Sequence, residues 1–232
     1  MVKKQKTRQN SKVGFPRFDL PLLATYSRRG TNWVRYFLEV CSNQPTPGQT
    51  RYVEGTDYFI DRAHCAYPVL HKYSKVILLL RDFKECLLRH NKDEWLSLNN
   101  VEQFLDAQDF QQPCEWYIKN IEAFDNFKGP KLLLYYEDLM QSPANEFTKL
   151  AVFLSLSEEV VSRFIDNIDK HFHASVAAYT AGGHASETAK TKDLQAHARK
   201  LLTDEQKNEF DRYYLRKYPS LTQEYLKRYI TL

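Results

Sequence analysis

The sequence predicts an α/β protein built on a central parallel sheet, and three observations carry that prediction. Four short apolar runs, roughly Leu20–Tyr26, Tyr58–Ala63, Lys75–Leu80 and Lys131–Tyr136, have the length of strands. The third and fourth, KVILLL and KLLLYY, are apolar without alternation, as strands covered on both faces must be. Helical patterns separate the runs, and a strand–helix–strand order favours parallel pairing.

Each element has its own warrant. Thr31–Cys41 reads as a helix, with Trp33, Val34, Phe37, Leu38 and Cys41 at helical spacing. Phe83–His90 begins another. Pro113–Asn126 carries Trp116, Tyr117, Ile118, Ile121 and Phe124, and Pro143–Leu154 sets Phe147, Leu150, Ala151 and Leu154 on one stripe. Glu158–Lys170 and Thr203–Leu232 read as helices. Between them, His173–His197 is a long polar stretch with a Gly182-Gly183 pair and no clear pattern.

Composition narrows the class. A chain of 232 residues with 43% apolar content has a real core and fits one sizeable domain. Met1–Arg17 carries six basic residues and no acid, so it reads as a solvated, disordered tail (1–17) ahead of a single domain (18–232). A net charge of +4 is mild for this length, which argues against a general nucleic-acid binder. Cys41, Cys65, Cys86 and Cys114 lie far apart without a CxxC pair, so reduced thiols in the cytoplasm are expected, with no zinc site. No apolar run reaches the ~20 residues a membrane span needs, and no apolar stretch follows the basic N-terminus to make a signal peptide.

The chemistry belongs at the carboxyl ends of the strands, where open parallel sheets bind ligands. The first strand is followed by Ser27-Arg28-Arg29-Gly30-Thr31-Asn32, the second by Asp61-Arg62-Ala63-His64, the third by Arg81-Asp82 and the fourth by Glu137-Asp138. A helix start offers unpaired N–H groups and a partial positive charge. Gly30 allows close backbone approach, and Arg28 and Arg29 add full charges. The junction is a cradle for phosphate or sulfate. It is not a Walker A loop, which needs a further glycine and a lysine.

Three stretches then point to one family. ATYSRRGTNWVR resembles the phosphosulfate-binding loop of sulfotransferases, whose pattern is roughly TYPKSGTTW. KVILLLRDFKECLLRH resembles the second signature, a strand ending in Arg and leading into a helix. KLLLYYEDLMQSPANEFTKLAVFLSL is similar to the third block, with its YEDL. The blocks occur in the family's order over residues 20–156.

The resemblance implies a three-layer, P-loop-like α/β/α fold. It also implies transfer of a sulfuryl group from 3′-phosphoadenosine 5′-phosphosulfate (PAPS) to a hydroxyl or amine of a small molecule, with 3′-phosphoadenosine 5′-phosphate (PAP) as product. Arg28 falls at the family's catalytic lysine and His64 at its base histidine. Arg29, Gly30, Thr31, Asn32 and Trp33 fall on the loop around the 5′ end. Arg81 falls on the 3′-phosphate arginine and Arg89 on a serine that shares the role. No metal is required, and no nucleic-acid or membrane partner is implied. The chain departs from the pattern at Ser27, Arg28, Arg29 and Phe83, which stand for proline, lysine, serine and proline. The late RKG segment is not evident, with Lys190 and Lys192, or the residues near Gly182-Gly183, as candidate substitutes. A nucleotide-binding module or a P-loop-like kinase is the alternative reading.

Overall fold

Strands covered on both faces must send alternate side chains into two separate cores, and this chain does so. The computed structural model describes residues 16–27, 30–48, 50–181 and 202–232. Among them, β1 (Leu22–Ala24), β2 (Asp61–Ala63), β3 (Val76–Leu80) and β4 (Lys131–Tyr135) form one sheet in the order β2-β1-β3-β4. All three pairings are parallel, with Leu22 opposite both Asp61 and Val76, and Val76 opposite Lys131. Val76, Leu78 and Leu80 enter one core while Ile77 and Leu79 enter the other, and all five are fully buried.

Helices cover both faces. On one side α1 (Thr31–Ser42) packs with α6 (Tyr136–Gln141), α7 (Pro143–Leu154) and α8 (Glu158–Asp166) around Phe37, Phe147 and Phe164. The Phe37 and Phe147 rings stack at 4.2 Å. On the other side α2 (Phe83–His90), α3 (Lys92–Leu98), α4 (Val101–Asp106), α5 (Glu115–Asn126) and α10 (Asp204–Lys217) enclose Phe83, Trp95, Phe104, Tyr117 and Phe210. Burying each such side chain contributes about 1.5–3 kcal/mol. The result is the three-layer α/β/α arrangement expected from the sequence.

Local chemistry sets the helix ends. The Asp82 carboxylate caps α2 by accepting from the Lys84 N–H at 2.9 Å. Pro143 starts α7, and Ser155 ends it in the left-handed region at φ 57°. Thr203 and Gln206 cap α10 reciprocally.

Three expectations change. The helix read as Glu158–Lys170 breaks at Asn167, and α9 (Ile168–Ala181) runs on into the stretch read as patternless. Its Ala174, Ala177 and Ala178 favour helix, but among its residues 168–180 only Ser175 is buried, so no apolar stripe announces it. The helix read as Thr203–Leu232 stops at Lys217, because Pro219 cannot continue it, and short helical turns finish the chain. The region 91–112, in which the sequence pattern marks no element, contains α3 and α4. The basic tail, Gly182, Gly183, Lys190 and Lys192 lie outside the described residues, apart from Pro16 and Arg17. All four cysteines are free.

Candidate active site

Because every strand is parallel, all four carboxyl ends share one edge. The chain leaves β1 toward β2 on one side, and β3 lies on the other, so the connections diverge between β1 and β3. That divergence opens the crevice in which open α/β sheets hold ligands. The β1–α1 junction and Arg81 border it directly, and His64 stands at the end of β2, one strand away.

The junction is shaped by Gly30. Its φ of 73° is left-handed, and a Cβ there would lie 2.2 Å from the Tyr136 ring. No side chain caps α1, and its first turn holds no acid. The first-turn N–H groups and the dipole therefore meet no negative side chain of their own helix. Asn32 accepts from Arg35 through its Oδ1 at 3.3 Å. Thr31 is buried. Trp33 is 6% exposed and sits among Phe147, Phe172 and Phe164 at 5.0, 5.4 and 5.8 Å, so it anchors the helix start in the core. Arg28 and Arg29 lie outside the described residues.

Tyr136 links this junction to Arg81. The Arg81 guanidinium lies 4.4 Å from the centre of the Tyr136 ring, a cation–π contact. Its Nη2 is 3.9 Å from Glu85 Oε2, an ion pair too long to be a hydrogen bond. The Arg81 carbonyl accepts from the Tyr117 hydroxyl at 2.7 Å, which fixes the strand end. Arg89, half-buried in the last turn of α2, is four residues beyond Glu85 and so shares its helix face.

His64 is held from two directions. Its Nδ1 and Thr25 Oγ1 are hydrogen-bonded at 2.8 Å, and its carbonyl accepts from Asn120 Nδ2 at 2.7 Å. Asn120 Oδ1 also accepts from the Ala66 and Tyr67 N–H groups, so one buried amide sets the whole turn after β2.

Sequence reasoning missed Asn120, Tyr136 and Arg35. Asn120 stood in plain view as a polar residue between Tyr117 and Ile121 on the buried face of α5. Arg35 carried a weaker signal, an Arg–Glu pair four residues apart that is commonly a solvated surface pair. Here Arg35 and Glu39 are both buried and paired at 3.2 Å. Arg35 Nε donates to Thr46 Oγ1 at 2.8 Å, and Glu39 accepts from the Tyr52 and Val53 N–H groups. Burial, partly offset by Glu39, lowers the Arg35 pKa. The pair organises the loop between α1 and β2.

The model of the sulfotransferase domain family matches residues 56–228. The chain belongs to the sulfotransferase domain family. The match covers β2 through the end of α10 and beyond, while the β1–α1 junction precedes it. Among solved structures, mouse sulfotransferase SULT7A1 complexed with PAP superposes with a TM-score of 0.60 at 16% identity, over 92% of this chain and 89% of that one. Retinol dehydratase in complex with androsterone and the inactive cofactor PAP gives 0.57 at 15% identity, over 90% and 82%. Retinol dehydratase with retinol and PAP gives 0.57 at 16%. At these identities the likeness establishes the fold. No curated protein matches the chain in sequence. Among the described residues of this sulfotransferase-family domain, no cluster of three or more metal-ligating groups occurs, and no helix is long and apolar enough to cross a membrane.

Proposed function

We propose that this domain transfers a sulfuryl group from PAPS to a hydroxyl or amine of a small molecule and releases PAP. The observation that carries the proposal is the meeting of Gly30 and Arg81 on the Tyr136 ring, at the divergence point of a sulfotransferase-family sheet. The fit of the nucleotide is supported by an uncapped helix start without acids and by a glycine whose missing Cβ leaves room.

When bound, PAPS supplies the activated sulfuryl group. The chain does the rest. Gly30, Thr31, Asn32 and Trp33 hold the 5′ end at the start of α1, joined by Arg29. Arg81 and Arg89 clamp the 3′-phosphate, which competes with Glu85 for Arg81. Arg28 sets a permanent cation beside the leaving oxygen, where charge grows most in a loose transition state. The part given to Arg28 and Arg29 rests on the sequence. His64 acts as base. For Nε2 to accept the acceptor's proton, Nδ1 must carry its own proton and donate it to Thr25 Oγ1, a role that hydroxyl can fill because it accepts as well as donates. Four free cysteines fit a reducing, cytoplasmic setting.

The test is PAP formation from PAPS with a panel of phenols and alcohols. His64→Ala is expected to lower kcat by about 10²–10⁴. An unchanged rate would remove His64 from the chemistry. Magnesium-dependent turnover of ATP without PAPS turnover would favour a kinase.

A further inference from the structure

Three buried side-chain atoms, Thr50 Oγ1, Tyr52 Oη and Arg62 Nε, have no hydrogen-bond partner among the described residues. They belong to one neighbourhood, around the Arg35 guanidinium. Arg35 donates to the Thr50 carbonyl. It lies 5.8 Å from the centre of the Tyr52 ring, and its charge acts on Arg62.

Arg35 and Arg62 differ sharply. Arg35 spends its donors on Thr46, Glu39, Thr50 and Asn32. Arg62 forms no ion pair among the described residues, although Asp61 precedes it. Successive strand residues point to opposite faces. The Asp61 carboxylate offsets the Arg62 charge only in part: one oxygen accepts from the Tyr73 hydroxyl at 2.6 Å and the Arg17 N–H at 3.0 Å, and the other from Arg62's backbone N–H at 2.7 Å. Burial first and Arg35 second push the Arg62 pKa down to about 10, so it remains charged at neutral pH.

A half-buried cation beside another cation opposes folding unless something answers it. Each of the three orphan atoms can donate a hydrogen bond, and Arg62 Nε can only donate. An oxyanion can accept from each of them. Its position is also informative. Arg62 is two residues before His64 on β2, about 7 Å away along an extended chain. It lies on the far side of β1 from Arg81, away from the 3′-phosphate clamp.

We propose that Arg62, Tyr52 and Thr50 form an oxyanion subsite of the acceptor pocket, so that the acceptor is an acidic molecule presenting its hydroxyl to His64 and a carboxylate to Arg62. This rests on His64 being the acceptor-side base of the sulfuryl-transfer reading.

The test uses the full chain saturated with PAP. Calorimetry compares 3-(4-hydroxyphenyl)propionate with its primary amide, which matches it in shape and lacks the charge. The wild type is expected to bind the acid at least ten-fold more tightly. Arg62→Met is expected to abolish that preference, keep PAP affinity, and melt about 2–4 °C higher, because an unanswered cation has been removed. Arg62→Lys, which keeps the charge, should retain part of the preference and serves if the methionine variant does not fold. Equal binding of acid and amide, binding of neither, a preference that survives Arg62→Met, or a lower melting point in that variant would overturn the subsite. Absence of PAP binding in the wild type would remove the sulfuryl-transfer reading and this inference together, whereas PAP binding without acid preference removes the inference alone.

Discussion

The C-terminal segment and the β1–α1 junction treat polar groups in opposite ways. In the first, Lys84 is buried and donates to Asp211 at 2.5 Å and to the Tyr229 carbonyl at 2.7 Å. The second Asp211 oxygen accepts from the N–H and hydroxyl of Thr231. Arg228 makes two bonds to Asp138, and the Tyr229 hydroxyl donates to Glu137 at 2.6 Å. In the second region a helix begins with no cap and no acid. The C-terminal segment thus engages the acids that follow β4, Glu137 and Asp138. The Asp82 side chain is committed to its helix cap. Groups paired to completion hold the fold together, and groups left open are available to a ligand.

The largest way to break this contrast is in the C-terminal segment. Asp211→Ala leaves Lys84 buried without its counter-ion, and unfolding in denaturant should show a loss of about 3–5 kcal/mol. A loss under 1 kcal/mol would mean that the pair is not the fastening described.

At the junction a smaller stability effect should come with a larger functional one. Gly30→Ala places an L side chain at φ 73° and against Tyr136. The backbone term alone costs about 1–2 kcal/mol. Nucleotide binding should fall by more than stability does, as measured by calorimetry beside thermal melting. Unchanged nucleotide binding would detach the junction from the site.

The mildest test is a matter of pH. Hydrogen bonds from Arg228 hold the Asp138 carboxyl below its ordinary range. A carboxylate with a depressed folded pKa stabilises above its unfolded value of about 3.9, and that stability fades as pH falls through the folded value. The wild type should therefore melt above Arg228→Gln at pH 6, and the gap should close as pH drops below about 4. A gap that stays constant with pH would show that Arg228 acts by packing alone.

The sheet was legible because β3 and β4 are apolar on both faces, a pattern that few other elements produce. α1, α5 and α7 were legible through their stripes. α9 was not, because alanine and histidine on a mostly exposed helix leave no stripe, and α3 and α4 are too short to show a period. At the candidate site, the positions of Gly30, Arg81 and His64 at strand ends could be read from the sequence. What organises them could not. Asn120 reaches back from another helix, Tyr136 joins two junctions far apart in sequence, and the Arg35–Glu39 pair is buried only because the loop over it folds down. Such contacts depend on tertiary proximity, which spacing along the chain does not record.

The most direct test of sulfuryl transfer in this fold is calorimetric titration with PAP beside AMP, for the wild type and Arg81→Ala. Micromolar PAP binding, at least ten-fold weaker AMP binding, and loss of that difference in the variant are expected. Equal affinity for PAP and AMP in the wild type, or a preference untouched by Arg81→Ala, would contradict the 3′-phosphate clamp and the nucleotide assignment built on it.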